Sequence, residues 1–118
     1  MKKELKLVEQ FHKKFKAPVE KVPTLLSNDR AEFRYNLMKE EVEEYLTDGV
    51  DSKKIENIAK ELVDILYAVY GTILEHGLQD KIEEIFEEVH RSQMSKSYSP
   101  TKMKKGKKYF EADVVKFF

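Results

Sequence analysis

No proline stands between Pro23 and Pro100, and that long stretch holds only three glycines, Gly49, Gly71 and Gly77. Apolar residues recur along it at intervals of three and four, the period of an amphipathic helix. The chain therefore reads as all-α. Four helices are predicted. The first covers about 2–16, with Leu5, Val8, Phe11, His12 and Phe15 on one side, and ends before the loop that contains Pro18 and Pro23. The second starts at a Ser27 or Asn28 cap and continues to about Asp48, where Gly49 breaks it. Asp51 or Ser52 caps the third, which stops at Gly77. The fourth runs from near Asp80 to about Ser97. The expected architecture is a four-helix-bundle-type core over about 2–97 with a short basic tail over 98–118, all in one domain, 1–118.

Composition narrows the function. With 118 residues there is enough chain for one modest core. Lys plus Arg and Asp plus Glu number 22 each, so whole-molecule attraction to nucleic acid or to an acidic membrane is not indicated. No apolar run approaches the roughly 18 residues of a membrane span, and the start, MKKELKLVEQFHKK, lacks the apolar stretch of a signal peptide. A cytoplasmic protein is expected. The absence of cysteine removes disulfides, thiolate metal sites and thiol nucleophiles, which leaves oxygen and imidazole as metal ligands.

The third helix is apolar around a wide arc: Ile55, Ala59, Leu62, Val63, Ile65, Leu66, Val69, Tyr70 and Ile73. That is more than three neighbours and a tail can cover, so partner subunits are expected to bury the remainder, in a homodimer or homotetramer. The remaining arc carries Glu61, Asp64, Ala68 and Gly71, two carboxylates sharing a strip with two small residues. On the second helix, Glu40, Glu41 and Glu44 fall on the arc of Phe33 and Leu37 and continue a core-facing stripe. Like charges at these spacings repel, and more so when partly buried. A hard divalent cation such as magnesium would offset that repulsion if two antiparallel helices delivered Glu41, Glu44, Glu61 and Asp64 into one groove; manganese could substitute. Each acidic pair taken singly reads as a solvated face. Their conjunction on otherwise apolar stripes keeps both readings open.

The fourth helix has a stripe of Ile82, Phe86 and Val89 that continues into Gln93 and Lys96, which could contact a phosphate or base or could belong to a frayed last turn. His12, His76 and His90 lack paired metal spacing and read as packing or surface residues. Ser92 and Ser95 near His90 have no accompanying acid or oxyanion loop. Tyr67, Tyr70, Tyr98 and Tyr109 could stack on a base, although the first two read as core.

Glu40-Glu41-x-x-Glu44 followed by Glu61-x-x-Asp64 resembles the EExxE and ExxD motif of the all-alpha nucleotide pyrophosphohydrolases, a superfamily that includes MazG, dimeric dUTPases and phosphoribosyl-ATP pyrophosphohydrolases. The stretches FHKKF, RYNLMKEEVEEY, AKELVDILYAVYGTILEHGL, EVHRSQMSK and KKGKKYFEADV extend the likeness to nearly the whole chain. The resemblance implies a helical dimer or pair of dimers that binds magnesium and cleaves a nucleoside triphosphate to the monophosphate and pyrophosphate. By resemblance, Glu41, Glu44, Glu61 and Asp64 are metal ligands, Glu40 orients or deprotonates water, and Lys96 contacts phosphate. Gln93 departs from the asparagine usual in that segment, which puts base or sugar selectivity in doubt. Arg34, two turns before Glu41, and the lysines of 102–108 could add positive charge around the phosphates, and the same resemblance lays the segment 104–109 over a neighbouring subunit's nucleotide. Two other classes fit less well: a catalytically silent metal- or nucleotide-binding regulatory bundle, against which the complete acidic set argues, and an interaction protein using its lysine-rich tail.

Overall fold

The computed structural model describes residues 1–118, and its regular structure is all helical, with four α-helices and no strand. They are α1 (Lys2–Lys14), α2 (Asn28–Glu44), α3 (Ile55–Glu75) and α4 (Ile82–Met94). No helix is long and apolar enough to cross a membrane. The chain forms two compact units, Met1–Gln79 and Asp80–Phe118. The expected division at residue 97 falls inside the second.

In the first unit, α3 packs against both α1 and α2. Ser27 caps α2, its hydroxyl accepting from the Arg30 N–H at 3.2 Å. After α2 the chain does not stop at once. It passes through a π turn (Tyr45–Gly49) and a 3-10 turn (Val50–Ser52) before α3 begins. Gly49 is buried in contact with the Ile58 backbone and the Glu61 stem. The predicted Ser52 cap is absent: its hydroxyl donates to the Gly49 carbonyl and accepts from the Lys54 N–H, thereby closing the turn. At the other end, Gly77 adopts φ +67, the left-handed conformation that terminates α3. The loop after α1 is stitched to this end of α3: the Glu20 N–H donates to the Leu74 carbonyl at 3.0 Å and the Thr24 N–H to the His76 carbonyl at 2.8 Å.

Few apolar side chains are fully buried, namely Leu5, Val8 and Leu74, and the unit is held as much by charge. Glu75, 0% exposed, receives Arg30 in a bidentate pair at 2.6 and 2.8 Å and Arg34 at 3.0 Å. Arg34 also donates to the Thr72 hydroxyl at 3.0 Å and to the Ala68 carbonyl at 2.8 Å. Burial pushes its pKa below the ordinary guanidinium value, against the pull of Glu75. The core-facing stripe expected on α2 thus holds at Leu37, Glu41 and Glu44 and differs at its edge. Arg34, Leu37, Glu41 and Glu44 turn inward, whereas Phe33 and Glu40 are exposed. The demand of Glu75 for cations decides that edge, since a buried carboxylate without a partner costs more than an exposed Phe33 recovers.

In the second unit the expected core stripe of α4 is also displaced. Phe86 and Val89 are exposed, and the buried positions are Glu88 and Ser92. Their partners lie in the C-terminal segment: the Ser92 hydroxyl donates to the Phe110 carbonyl at 2.8 Å, the Ser95 hydroxyl accepts from the Phe110 N–H at 3.1 Å, and Glu88 accepts from the Asp113 N–H at 2.7 Å. The segment 110–113 is therefore fastened antiparallel along α4 by side chains that satisfy its backbone. Arg91, the Asp113 N–H and Lys116 together hold the Glu88 carboxyl down to about 2. The basic end is thus no loose tail at these positions, and Ser92 and Ser95 are clasp residues.

Removing the hub of the first unit should be severe. Glu75→Ala leaves two guanidinium groups facing a buried void, and a loss of about 3–5 kcal/mol is expected from the usual penalty for a stranded buried charge. Urea denaturation of the full chain measures it; a loss under about 1 kcal/mol would show that α2 and α3 are held by other contacts.

Candidate functional site

α2 presents Glu41 and Glu44 towards α3, where Glu61 and Asp64 occupy the strip that continues into Ala68 and Gly71. One carboxylate oxygen from each of Glu41, Glu61 and Asp64 lies within 4.8 Å of the other two. Glu61 is 4% exposed although it is ionisable, and the turn after α2 covers its stem at Gly49. Glu41 Oε2 and Glu61 Oε2 are both buried without a hydrogen-bond partner. Such atoms cost free energy unless something fills the gap between them.

The electrostatics agree. Burial raises the Glu41 pKa, and the charges of Glu44 and Asp64, a hydrogen bond with Glu44 and the charge of Glu40 raise it further. The nearest compensating cation is Lys60, whose ammonium lies 2.8 Å from Asp64 and 3.7 Å from Glu61. Its side chain is mostly exposed, so its attraction is screened by water. A small, hard, doubly charged ion suits this donor set better. It accepts only oxygen here, tolerates carboxylates held at partial burial, and removes the repulsion that keeps Glu41 protonated too readily.

The cluster borders a cavity of about 230 Å³. Glu41 and Asp64 line it together with Arg34, Leu37 and Ala68 from the same two helices, Phe11 and His12 from α1, and Tyr67. Tyr67 meets Phe11 edge to face, with ring centres 5.5 Å apart. Gly71 is essential to this arrangement. A Cβ there would stand 2.6 Å from Arg34 Nη2 and 2.8 Å from His12 Nε2, both too close to tolerate.

The expected site residues are therefore distributed unevenly. Glu41, Glu61 and Asp64 converge, and Glu44 joins them through Glu41. Glu40 is exposed, about 100° round α2 from Glu41, and is the weakest of the charges acting on it. Arg34 does line the cavity, but three of its donors are committed to Glu75, Thr72 and Ala68, so it is first a buried structural cation. Gln93 is exposed near the end of α4 and Lys96 is half-buried just beyond it, both in the second unit. His12, Phe11 and Lys60 were not anticipated at the site, and Tyr67, weighed for stacking on a base, read as core. The FHKKF stretch carried the first two, yet helical periodicity assigns them to a core and cannot show that a cavity opens beside them.

An all-helical chain with an acidic, cation-seeking centre between two antiparallel helices is thereby defined. Residues 8–93 match the model of the phosphoribosyl-ATP pyrophosphohydrolase family, a match that takes in parts of both units, and the chain belongs to that family. It is accordingly a pyrophosphohydrolase, a hydrolase of phosphoanhydride bonds. No curated protein matches it.

The cluster makes a prediction about cations and pH. Magnesium at about a hundredfold over its Kd should stabilise the full chain by about 2.7 kcal/mol, the linkage value for one site. The gain should shrink on acidification, because Glu41, with its raised pKa, holds a proton that the cation must displace. In the metal-free protein the sign reverses: the folded state binds that proton more tightly than the unfolded chain, so this group favours folding as pH falls through its raised pKa. Thermal melts with and without magnesium at about pH 8 and about pH 5.5 read both trends, and a cation effect independent of pH would exclude Glu41 from the ligand set.

Proposed function

We propose that this pyrophosphohydrolase takes a nucleoside triphosphate or a related nucleotide, cleaves it between the α and β phosphates and depends on magnesium. The observation that carries the reading is the pair of buried, partnerless oxygens on Glu41 and Glu61 within a three-carboxylate cluster that opens on a cavity. A structural acidic face would be solvated and would need no such atoms. Glu41, Glu61 and Asp64 would hold the ion, with Glu44 completing the set. When bound, it supplies charge that draws in phosphate groups, polarises their oxygens and lowers the pKa of a water molecule; manganese can stand in for it.

The rest falls to the chain's own residues. Lys60, on a long exposed stem, can release Asp64 without breaking any packing. Arg34 contributes a fixed positive field beside the cluster and so favours a phosphate chain over a neutral ligand. Glu40, outside the trio, takes the proton from the attacking water as pyrophosphate leaves. Gln93 and Lys96 serve as the further sugar and phosphate contacts. No covalent nucleophile is needed. Such an activity belongs in the cytoplasm, and neither a membrane nor a nucleic-acid partner has a part in it.

The exposed apolar faces support assembly of like subunits. Leu62, Val63 and Leu66 on α3, Val42 on α2 and Phe86 on α4 are all exposed, more apolar surface than a small soluble chain usually leaves open. A homodimer or homotetramer is the arrangement proposed, and light scattering at micromolar concentration should report a multiple of 14.0 kDa. A monodisperse active monomer would refute it.

Product analysis tests the reaction. A panel of ribonucleoside and deoxyribonucleoside triphosphates with phosphoribosyl-ATP, each with magnesium or with excess chelator, should yield pyrophosphate and a monophosphate in the magnesium arm alone. Orthophosphate release, or full activity in chelator, would remove the mechanism. Asp64→Asn should abolish turnover, yet the metal-free fold should stay as stable as the parent or gain up to about 0.5 kcal/mol, since the substitution removes a pair with an exposed lysine together with a charge that repels Glu41.

A further inference from the structure

Lys60 stands on α3 one residue before Glu61 and one turn before Asp64. Its ammonium lies 2.8 Å from Asp64 Oδ2 and 3.7 Å from Glu61 Oε1, so one cation of the chain engages two of the three carboxylates of the cluster. The two contacts differ in setting. The Asp64 side chain is 32% exposed and lines the cavity, whereas that of Glu61 is buried and its other oxygen, Oε2, has no partner. Lys60 is mostly exposed and therefore covers the cluster from its solvent side. An ammonium brings a single charge and only donates. It offsets part of the repulsion among Glu41, Glu44 and Asp64 and leaves Oε2 of Glu41 and of Glu61 unmet.

The carboxylates that Lys60 engages are the ones that would hold the divalent ion. Two cations on one carboxylate pair repel each other at this separation, so one has to yield. Lys60 is the one that can, because its stem is exposed and a solvated pair of this kind contributes little. Turned outward, the ammonium stays at the rim beside Asp64, where two kinds of anion compete for it. Glu56, one turn back along α3, is exposed, and its pull is screened by water. A phosphate chain carries several charges at once and accepts hydrogen bonds on every oxygen. We infer that Lys60 is an exchangeable cation of this site: it pairs with Asp64 and Glu61, yields these carboxylates to the divalent ion, and then donates to the phosphate chain of the nucleotide. Lys60 thereby tunes the affinity for the ion and becomes a substrate-binding residue in the same movement. The inference rests on the nucleotide reading given above and deepens it, since the acidic motif defines ligands for an ion and no group that changes places with it.

Opposite effects on two ligands test the exchange. Lys60→Met keeps the stem and removes the ammonium, Lys60→Gln keeps a polar head without charge, and Lys60→Arg keeps the charge. Calorimetric titration of the full chain with magnesium alone should show Lys60→Met binding the ion roughly twofold to fivefold more tightly than the parent, the range of an exposed pair. Titration with inorganic tripolyphosphate at saturating magnesium should show the same variant binding about tenfold more weakly, the worth of one charge-assisted hydrogen bond. Lys60→Gln should follow Lys60→Met, and decides alone if Lys60→Met does not fold. Lys60→Arg should restore both affinities. Damage to the fold would weaken both ligands together and cannot produce opposite signs. Magnesium binding that is unchanged or weaker without the ammonium overturns the exchange. So does a tripolyphosphate affinity indifferent to Lys60, the result expected if the ammonium turned to Glu56.

Both titrations proceed without turnover, which separates this failure from failure of the nucleotide-hydrolysis reading. Opposite shifts in a protein that releases no pyrophosphate from any nucleotide would uphold the exchange and reject the reaction. Pyrophosphate release with both affinities indifferent to Lys60 would do the opposite.

Discussion

A buried carboxylate sets the register of α2 against α3. Glu75 lies wholly out of water and must be met by cations, and the two that reach it, Arg30 and Arg34, are one turn apart on α2. Once Arg34 is drawn to Glu75, Thr72 and Ala68, the antiparallel run of the helices does the rest. Glu41 lies two turns further along α2, and Asp64 and Glu61 lie one and two turns back along α3 from Ala68. They meet because the arginine is anchored. The same anchoring holds the guanidinium beside His12 over Gly71, so one ion-pair network builds both the cluster and the recess next to it.

The two ends of that groove carry opposite electrostatic solutions. At Glu75 the charge is balanced within the chain, with bidentate geometry and a raised Arg30 pKa as its signature. At Glu41 and Glu61 it is not, and two buried oxygens have no partner. Folding tolerates the second because the first is strong and because Glu41 can hold a proton in the absence of a cation. A chain selected for stability alone would have a lysine or an amide in that position. Retaining carboxylates there fits a catalyst whose ion arrives from solution and whose substrate brings the remaining ligands.

The chain's outer faces follow from the same choice. With polar side chains occupying the inward stripe of α2 and the clasp of α4, apolar residues such as Val42, Leu62, Leu66 and Phe86 are displaced to the outside. Charge inside and apolar surface outside is an inversion that an isolated chain rarely sustains, and subunit contact is the ordinary remedy.

The amino-acid sequence by itself determined the helices, their approximate limits, the Ser27 cap, the Gly77 stop and the strip Glu61, Asp64, Ala68, Gly71, because these depend on local backbone preference and on a period of 3.6 residues. It also carried the family motif, whose spacing is a one-dimensional property. What it left undecided was rotation. Periodicity put Leu37, Glu41 and Glu44 on the inward arc of α2, but it could not tell whether the edge of that arc facing the partner helix is the one with Phe33 and Glu40 or the one with Arg34. Only the partner across the interface, Glu75, selects the second. The clasp of Glu88, Ser92 and Ser95 was hidden for the same reason, since the backbone groups they satisfy lie well over a dozen residues away along the chain. His12 looked like any core histidine until tertiary structure tied one ring nitrogen to Pro18 and set the ring in a cavity wall, a distinction made by neighbours that no spacing records.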